Sequence, residues 1–251
     1  MVVQHHRRDI PAKTCLSALT AAGAAIAFAA GAVDVEFGFA IGTSTTGSTN
    51  SPAVNSIEVD STGNVYATGF FEGTVDFEPG AGVLELVSTT NWDMFVAKYD
   101  PDGGLVWVKG FGVSGGAQDI GWGIAIGPSG NVHVAGKFHG TVDFDPGTET
   151  NTLTSAGSTD AFLLKLDSNG NYVWAKSMGG TAWDECLDIA VDESGNVYTT
   201  GNFQNTADLD PGAGVANFVS AGFYDVFVQK LDASGDLVWA KQLGGAKFDQ
   251  G

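Results

Sequence analysis

Cysteine is scarce in this chain: only Cys15 and Cys186 occur among 251 residues. A small domain that depends on disulfides carries several cysteines that can pair. Cys15 also lies in an N-terminal segment with the features of a removable leader, so that Cys186 would be left without a partner. A disulfide framework is therefore excluded, and stability has to come from packing.

Basic residues are also few, with 11 Lys and Arg against 29 Asp and Glu and a formal net charge of −18. A nucleic-acid partner is excluded on this ground, because neutralising phosphates needs clustered Lys and Arg. The acidity does not indicate disorder, since 43% of the residues are hydrophobic and only 16% are charged. Such a chain has enough apolar surface to form a compact core.

The first 32 residues have the order of features of a bacterial export signal. Arg7, Arg8 and Lys13 come first, an uncharged run rich in alanine follows, and Ala-Gly-Ala ends it at position 32. This order predicts a signal peptide at 1–32, cleaved after Ala32. A membrane anchor is the alternative, because the uncharged stretch at 14–33 is long enough to span a bilayer. We expect a protein that is secreted or held at the bacterial cell surface, without a membrane span after cleavage.

The rest of the chain repeats itself. Asn64, Asn131 and Asn196 open equivalent NV(Y/H) runs, and successive copies are 67 and then 65 residues apart. Such a period predicts stacked supersecondary units, each too small to bury its apolar face alone. The expected organisation is a lone last strand of a preceding unit with a loop at 33–55, complete units at 56–113, 114–179 and 180–245, and the start of a truncated next repeat at 246–251.

Within each unit, the local signals are those of strands and tight turns. Alternating apolar residues at 56–60 and a Val, Tyr and Thr-rich run at 64–71 flank the turn Ser-Thr-Gly and predict a hairpin. A second hairpin is expected at 93–99 and 105–112, around Asp-Pro-Asp-Gly-Gly. Between them, an insertion at 73–88 predicts an accessory ribbon on the rim. Four antiparallel strands per unit, repeated radially, are the blades of a β-propeller.

One stretch carries a family resemblance. The sequence IAVDESGNVYTTGNF at 189–203, and its equivalents across about 56–245, resemble the bacterial β-propeller repeat family SBBP, and the FDPG insertions are similar to those of exported members. The resemblance implies an all-β propeller of four-stranded antiparallel blades. Only three complete blades are present, whereas propellers close with about four to eight. We therefore expect a partial propeller whose open blade edges allow self-association.

Each insertion carries two carboxylates at positions i and i+2, which point to one face of an extended chain. Ca²⁺ prefers about six to eight oxygen ligands, so a metal site would need loop carbonyls or further carboxylates. Asp93, Asp160 and Asp225 follow nearby in sequence. The alternative is that Asp caps a turn made by Pro-Gly. The paired residues are Asp76 with Glu78, Asp143 with Asp145, and Asp208 with Asp210.

Tryptophan occurs both at repeated and at unrepeated positions. Trp107, Trp174 and Trp239 recur in the last strand of every unit, which predicts a packing role between units. Trp92 and Trp183 precede strands, and such aromatics either stack on a sugar ring or cover the end of a blade. These two are the candidate ligand-binding residues.

The sequence contains no recognisable catalytic group of residues. HExxH and P-loop motifs are absent, and no histidine accompanies Cys186 in its unit. We predict an exported, non-enzymatic module for binding or scaffolding, with a protein or carbohydrate partner, and with Ca²⁺ as its one candidate cofactor. The alternative is a fragment of a propeller enzyme acting on polysaccharide, with its catalytic residues outside this chain.

Overall fold

A computed structural model describes residues 52–88, 91–112 and 118–251 of the chain. The expected signal peptide and nearly all of the segment at 33–55 lie outside these residues.

The described residues form three units. The first contains β1 (Ala53–Val59), β2 (Val65–Phe71), β3 (Thr74–Asp76), β4 (Glu85–Val87), β5 (Asp93–Tyr99) and β6 (Leu105–Phe111). The second contains β7 (Ile120–Ile126), β8 (Val132–Phe138), β9 (Thr141–Asp143), β10 (Thr152–Thr154), β11 (Asp160–Leu166) and β12 (Tyr172–Gly180). The third contains β13 (Asp184–Val191), β14 (Val197–Phe203), β15 (Thr206–Asp208), β16 (Asn217–Val219), β17 (Asp225–Leu231) and β18 (Leu237–Leu243).

Four strands of each unit form an antiparallel sheet, in the orders β1-β2-β5-β6, β7-β8-β11-β12 and β13-β14-β17-β18. The predicted all-β class and the repeated four-stranded unit are confirmed. β1 begins at Ala53, ahead of the expected unit start at residue 56. Apart from a single 3-10 turn at Pro128–Gly130, the elements of the described part are strands, and none of its sheets closes on itself. That part of the chain also holds no helix long and apolar enough to cross a membrane.

In the first and third units, the first hairpin is closed by an aspartate. Asp60 Oδ1 accepts the backbone N–H groups of Thr62 at 2.9 Å and Asn64 at 3.0 Å. Gly63 completes the turn with φ of 88°, a conformation that costs other residues energy. Asp192 accepts the equivalent N–H groups in the third unit, from Ser194 and Asn196. The turn residues of the repeat therefore set the register of the strands that follow.

A β-bulge recurs in the first strand of each unit, opposite a repeated glycine. In the second unit, the register shifts between Gly121 and Gly123, and Gly136 lies opposite. A Cβ at Gly136 would lie 2.0 Å from the carbonyl oxygen of Ile120 and 2.6 Å from Cε1 of Phe162. Gly69 and Gly201 meet equivalent carbonyl oxygens. The glycine five residues after each repeated asparagine is therefore required by close backbone approach.

The ribbons formed by the insertions belong to the core rather than only to the rim. In the second unit, β9 and β10 pair with each other and bring Phe144 into the interior. Its ring centroid lies 5.1 Å from that of Phe162 and 5.5 Å from that of Phe138. It also stacks at 6.2 Å on Phe111 of the first unit. The ribbon therefore packs between two units, which the sequence pattern did not predict.

Successive units share their hydrophobic cores. Met94, Val96 and Phe111 of the first unit pack in one cluster with Val132 and other residues of the second. A second cluster combines residues of the second and third units, including the free Cys186. The first strands β1, β7 and β13 are in contact in that order. Each unit therefore depends on its neighbour for burial, as expected for a repeat architecture.

Candidate functional site

The carboxylate pairs of the insertions close their own loops. Asp143 Oδ1 accepts the N–H of Asp145 at 3.0 Å and that of Asn151 at 2.9 Å. Asp145 Oδ1 accepts the N–H of Gly147 at 2.8 Å, and its Oδ2 accepts a hydrogen bond from the Asn151 side chain at 2.9 Å. These bonds satisfy backbone donors across the loop, so a turn-closing role is observed.

The other two pairs repeat this arrangement. Asp76 Oδ1 accepts the N–H groups of Glu78 and Leu84, and Asp208 Oδ1 accepts those of Asp210 and Ala216. The carboxylates suggested as additional ligands, Asp93, Asp160 and Asp225, are buried. Across the described ranges, no group of three or more His, Cys, Asp or Glu residues is arranged to hold a metal ion. Ca²⁺ binding at these loops stays a prediction.

Removing one turn-closing carboxylate distinguishes a role in turn closure from a role in Ca²⁺ binding. We expect Asp143→Ala to lower the free energy of unfolding by about 1 kcal/mol for each hydrogen bond lost, equally with Ca²⁺ and with a chelator. Glu149→Ala, an exposed change in the same loop, is the matched control. Calorimetric titration of the wild type and of Asp143→Asn/Asp145→Asn with Ca²⁺ completes the test. One Ca²⁺ fewer bound by the double variant would establish a metal site instead.

The two candidate ligand-binding tryptophans occupy contacts between units. Trp92 forms an isolated parallel bridge with Gln118, and Trp183 forms the equivalent bridge with Thr159. The Trp92 ring stacks on Phe70 with centroids 4.4 Å apart. Both tryptophans are half-buried and already have partners within the protein. Ligand contact at Trp92 and Trp183 stays a prediction.

Trp183 belongs to a group of side chains that the repeat does not share. Lys137 Nζ lies 4.0 Å from the centroid of the Trp183 ring and 3.7 Å from Oε2 of Glu185. Burial lowers the pKa of Lys137, and the charge of Glu185 opposes this shift. Lys137 stands where the other copies have Phe70 and Asn202. The sequence signal for this cluster was therefore a lysine at a repeated position that is otherwise uncharged.

Two of the three repeated tryptophans, Trp107 and Trp174, pack between units as predicted, whereas Trp239 is 37% exposed. Trp107 Nε1 donates a hydrogen bond to the carbonyl oxygen of Ser168, in a turn of the next unit, at 3.3 Å. A Cβ at Gly170 in that turn would lie 3.0 Å from the Trp107 ring. Trp174 covers Gly235 of the third unit in the same way. Glycine in the turn of one unit therefore makes room for the tryptophan of the preceding unit.

A coupled exception in the second unit escaped the sequence reasoning. In the other units an aspartate accepts a hydrogen bond from a tyrosine hydroxyl, Asp60 from Tyr66 at 3.2 Å and Asp192 from Tyr198 at 3.1 Å. The second unit has Gly127 and His133 at these positions. A Cβ at Gly127 would lie 2.8 Å from Cε1 of His133. The two exceptions are therefore sterically coupled, and their joint departure from the repeat was the available signal.

Comparisons with known proteins support a repeat β-structure. No family model matches the chain. It is 29% identical over 156 residues to an uncharacterized WD repeat-containing protein, L264, of Acanthamoeba polyphaga mimivirus, covering 59% of this chain and 11% of that protein. It is 31% identical over 124 residues to the regulatory protein FlaEY of Caulobacter vibrioides, covering 49% of this chain and 13% of that protein. The chain thus spans only about a tenth of either relative's length, and with its repeated antiparallel sheets it falls in the class of β-repeat proteins.

Proposed function

We propose that this protein is a β-propeller repeat module of the SBBP type that acts by binding or scaffolding and not by catalysis. The observation that carries the proposal is the repeated junction: two successive pairs of units are joined by equivalent tryptophan, glycine and core contacts. Residues at repeated positions serve packing between units. This suits a rigid module that presents its surface to partners. The description of one relative as a WD repeat-containing protein adds support, since repeated four-stranded units are the blades of such propellers.

We also propose that the module acts outside the cell or at its surface, bound to a protein or a carbohydrate. The support is the leader-like order of residues 1–32, in which basic residues precede an uncharged alanine-rich run. The net charge of −18 is a second support, because it disfavours contact with anionic nucleic acid.

The surface that supports scaffolding lies on the third unit. Leu243 pairs with Val226 at the register where Met178 pairs with Ala161 and Phe111 with Met94. Met178 and Phe111 are covered by the next unit and are 2% and 3% exposed, whereas Leu243 is 58% exposed. The third unit therefore presents a sheet face with the chemistry of an inter-unit contact. An apolar face of this kind favours association with another sheet.

Analytical ultracentrifugation of the full chain over a range of concentrations tests this proposal. We expect the wild type to self-associate and Leu243→Lys to weaken the association at least tenfold, because a charge would have to be buried. Val238→Lys is the matched control, since Val238 is 54% exposed on the same strand and its equivalents Val106 and Val173 are exposed in the other units. A wild type that remains monomeric at all concentrations would contradict the proposal, and so would equal effects of the two variants.

A further inference from the structure

Two carboxyl groups face one point at the junction between the second and third units. Asp160, the first residue of β11, is 4% exposed, and Asp184, the first residue of β13, is 1% exposed. A Cβ at Gly179 would lie 2.8 Å from Asp184 Oδ2 and 3.1 Å from Asp160 Oδ1. Glycine at this position therefore leaves room for both carboxyl groups, which come from different units.

Hydrogen bonding leaves one oxygen of the pair without a donor. Asp184 Oδ2 accepts the N–H of Gly180 at 2.7 Å, and its Oδ1 accepts the N–H of Gln204 at 3.2 Å. Asp160 Oδ2 accepts the N–H of Ala156 at 3.0 Å. Asp160 Oδ1 is buried and has no hydrogen-bond partner among the described residues. A buried carboxylate oxygen with no donor is costly, and a proton held between the two groups removes that cost.

No positive charge in the described part of the chain forms an ion pair with either carboxyl group. Lys137, on the adjacent strand β8, is paired with Glu185. Tyr224 senses the negative charges of Glu185 and Asp184, which add to burial in raising its pKa. The exposed ring of His139 contacts the carbonyl oxygen of Ser158. Asp208 lies opposite Gly179 across the β12–β15 pairing, and its Oδ1 accepts N–H groups of its own loop. The neighbours of the pair therefore leave its negative charge uncompensated.

We propose that Asp160 and Asp184 hold one proton between them near neutral pH, so that the junction between the second and third units responds to pH. Two like charges in a buried site cannot both ionise at their ordinary pKa values, and the pair titrates as a unit. Burial raises the pKa of Asp184 to about 7, and the neighbouring charge of Asp160 adds to the shift. Burial also raises the pKa of Asp160.

The sign of the effect follows from linkage. Between the ordinary aspartate pKa of 3.8 and the raised value of about 7, the folded protein binds one more proton than the unfolded chain. The unfolding equilibrium constant therefore increases with pH in this interval, by up to about tenfold per pH unit. Above this pH interval, the stability of the junction stays at its lowered value. The stabilising contribution of the proton is fully present only at acidic pH.

His133 opposes this trend and has to be separated from it. Burial and the nearby charge of Lys165 lower the pKa of His133 from 6.5 to about 4. The folded protein then binds fewer protons than the unfolded chain between these values, so stability is lost as the pH falls through them. The ring faces the edge of Trp174, with centroids 6.2 Å apart, and Gly127. Because the two effects oppose each other, a wild-type stability that does not change with pH would not reveal either titration.

Asparagine substitutions isolate the acid pair. We expect Asp160→Asn and Asp184→Asn to match the stability of the wild type near pH 4 and to be more resistant to denaturant near pH 8. The ratio of the wild-type unfolding equilibrium constant to that of each variant should therefore change at least tenfold between these two conditions. Asp102→Asn, an exposed change in another turn, is the control. Carboxyl ¹³C NMR of the wild type provides a readout that needs no variant to fold, and we expect a titration centred near pH 7.

Asparagine variants whose stability ratio to the wild type is constant with pH would overturn the proposal. Carboxyl resonances of Asp160 and Asp184 that both titrate below about pH 5 would overturn it as well. These outcomes are independent of binding or scaffolding, because they concern one junction within the monomer.

Discussion

Replacing Phe144 by alanine is expected to lower the free energy of unfolding by about 3 to 5 kcal/mol, the range for truncating a buried aromatic side chain. Phe144 is 1% exposed and contacts Phe138 and Phe162 of its own unit as well as Phe111 of the preceding one. Alanine would leave a cavity between two sheets that already contact each other through their first strands. The rigid backbone of both sheets limits how far this cavity can collapse.

Chemical denaturation followed by tryptophan fluorescence measures this loss. Phe223→Ala is the matched control, because it removes the same side chain from a position that is 67% exposed, where an effect within about 0.5 kcal/mol is expected. A cost below about 1 kcal/mol for Phe144→Ala would mean that the ribbon covers the rim without contributing to the core between units.

Replacing Gly136 by alanine is expected to cost about 1 to 3 kcal/mol, although the change adds only one methyl group. The added Cβ would lie 2.0 Å from the Ile120 carbonyl oxygen, and a backbone atom on a paired strand cannot move away without breaking the β7–β8 ladder. The cost arises from overpacking and not from lost backbone freedom, because Gly136 is not among the glycines with positive φ.

Gly245→Ala provides the control for Gly136→Ala. No atom lies within 4 Å of a Cβ placed at Gly245, so its substitution is expected to change stability by less than about 0.5 kcal/mol. Equal midpoints of denaturation for the two variants would show that the bulge opposite Gly136 relaxes to accept a side chain.

Much of the fold was predictable because its signals are local and occur three times. Asp60 and Gly63 encode a turn by their own chemistry, and the alternation that follows encodes a strand. The packing role of Trp107 and Trp174 followed from their recurrence, and the structure confirms it. The hydrogen bonds that Asp143 accepts within its own loop follow the turn chemistry of Asp and Pro-Gly.

Features that depend on contact between units could not be predicted from the sequence. The position of Phe144 in the core requires knowing that its ribbon folds inward between two sheets. The approach of Asp160 and Asp184 joins residues of different units through a glycine that has no side chain to suggest a site. Trp92 and Trp183 were expected in loops before strands, and only the structure reveals their bridges to neighbouring units.

Hydrogen exchange, followed segment by segment in Gly136→Ala and Gly245→Ala, tests most directly the claim that the units stack on shared cores. Damage to the second unit is predicted to accelerate exchange in β5 of the first unit and in β13 and β14 of the third, because clusters on both sides of the second unit include residues of its neighbours. Gly245→Ala is predicted to leave these segments at wild-type protection. Accelerated exchange confined to β7, β8, β11 and β12 of Gly136→Ala would contradict the claim and would describe three sheets that fold independently.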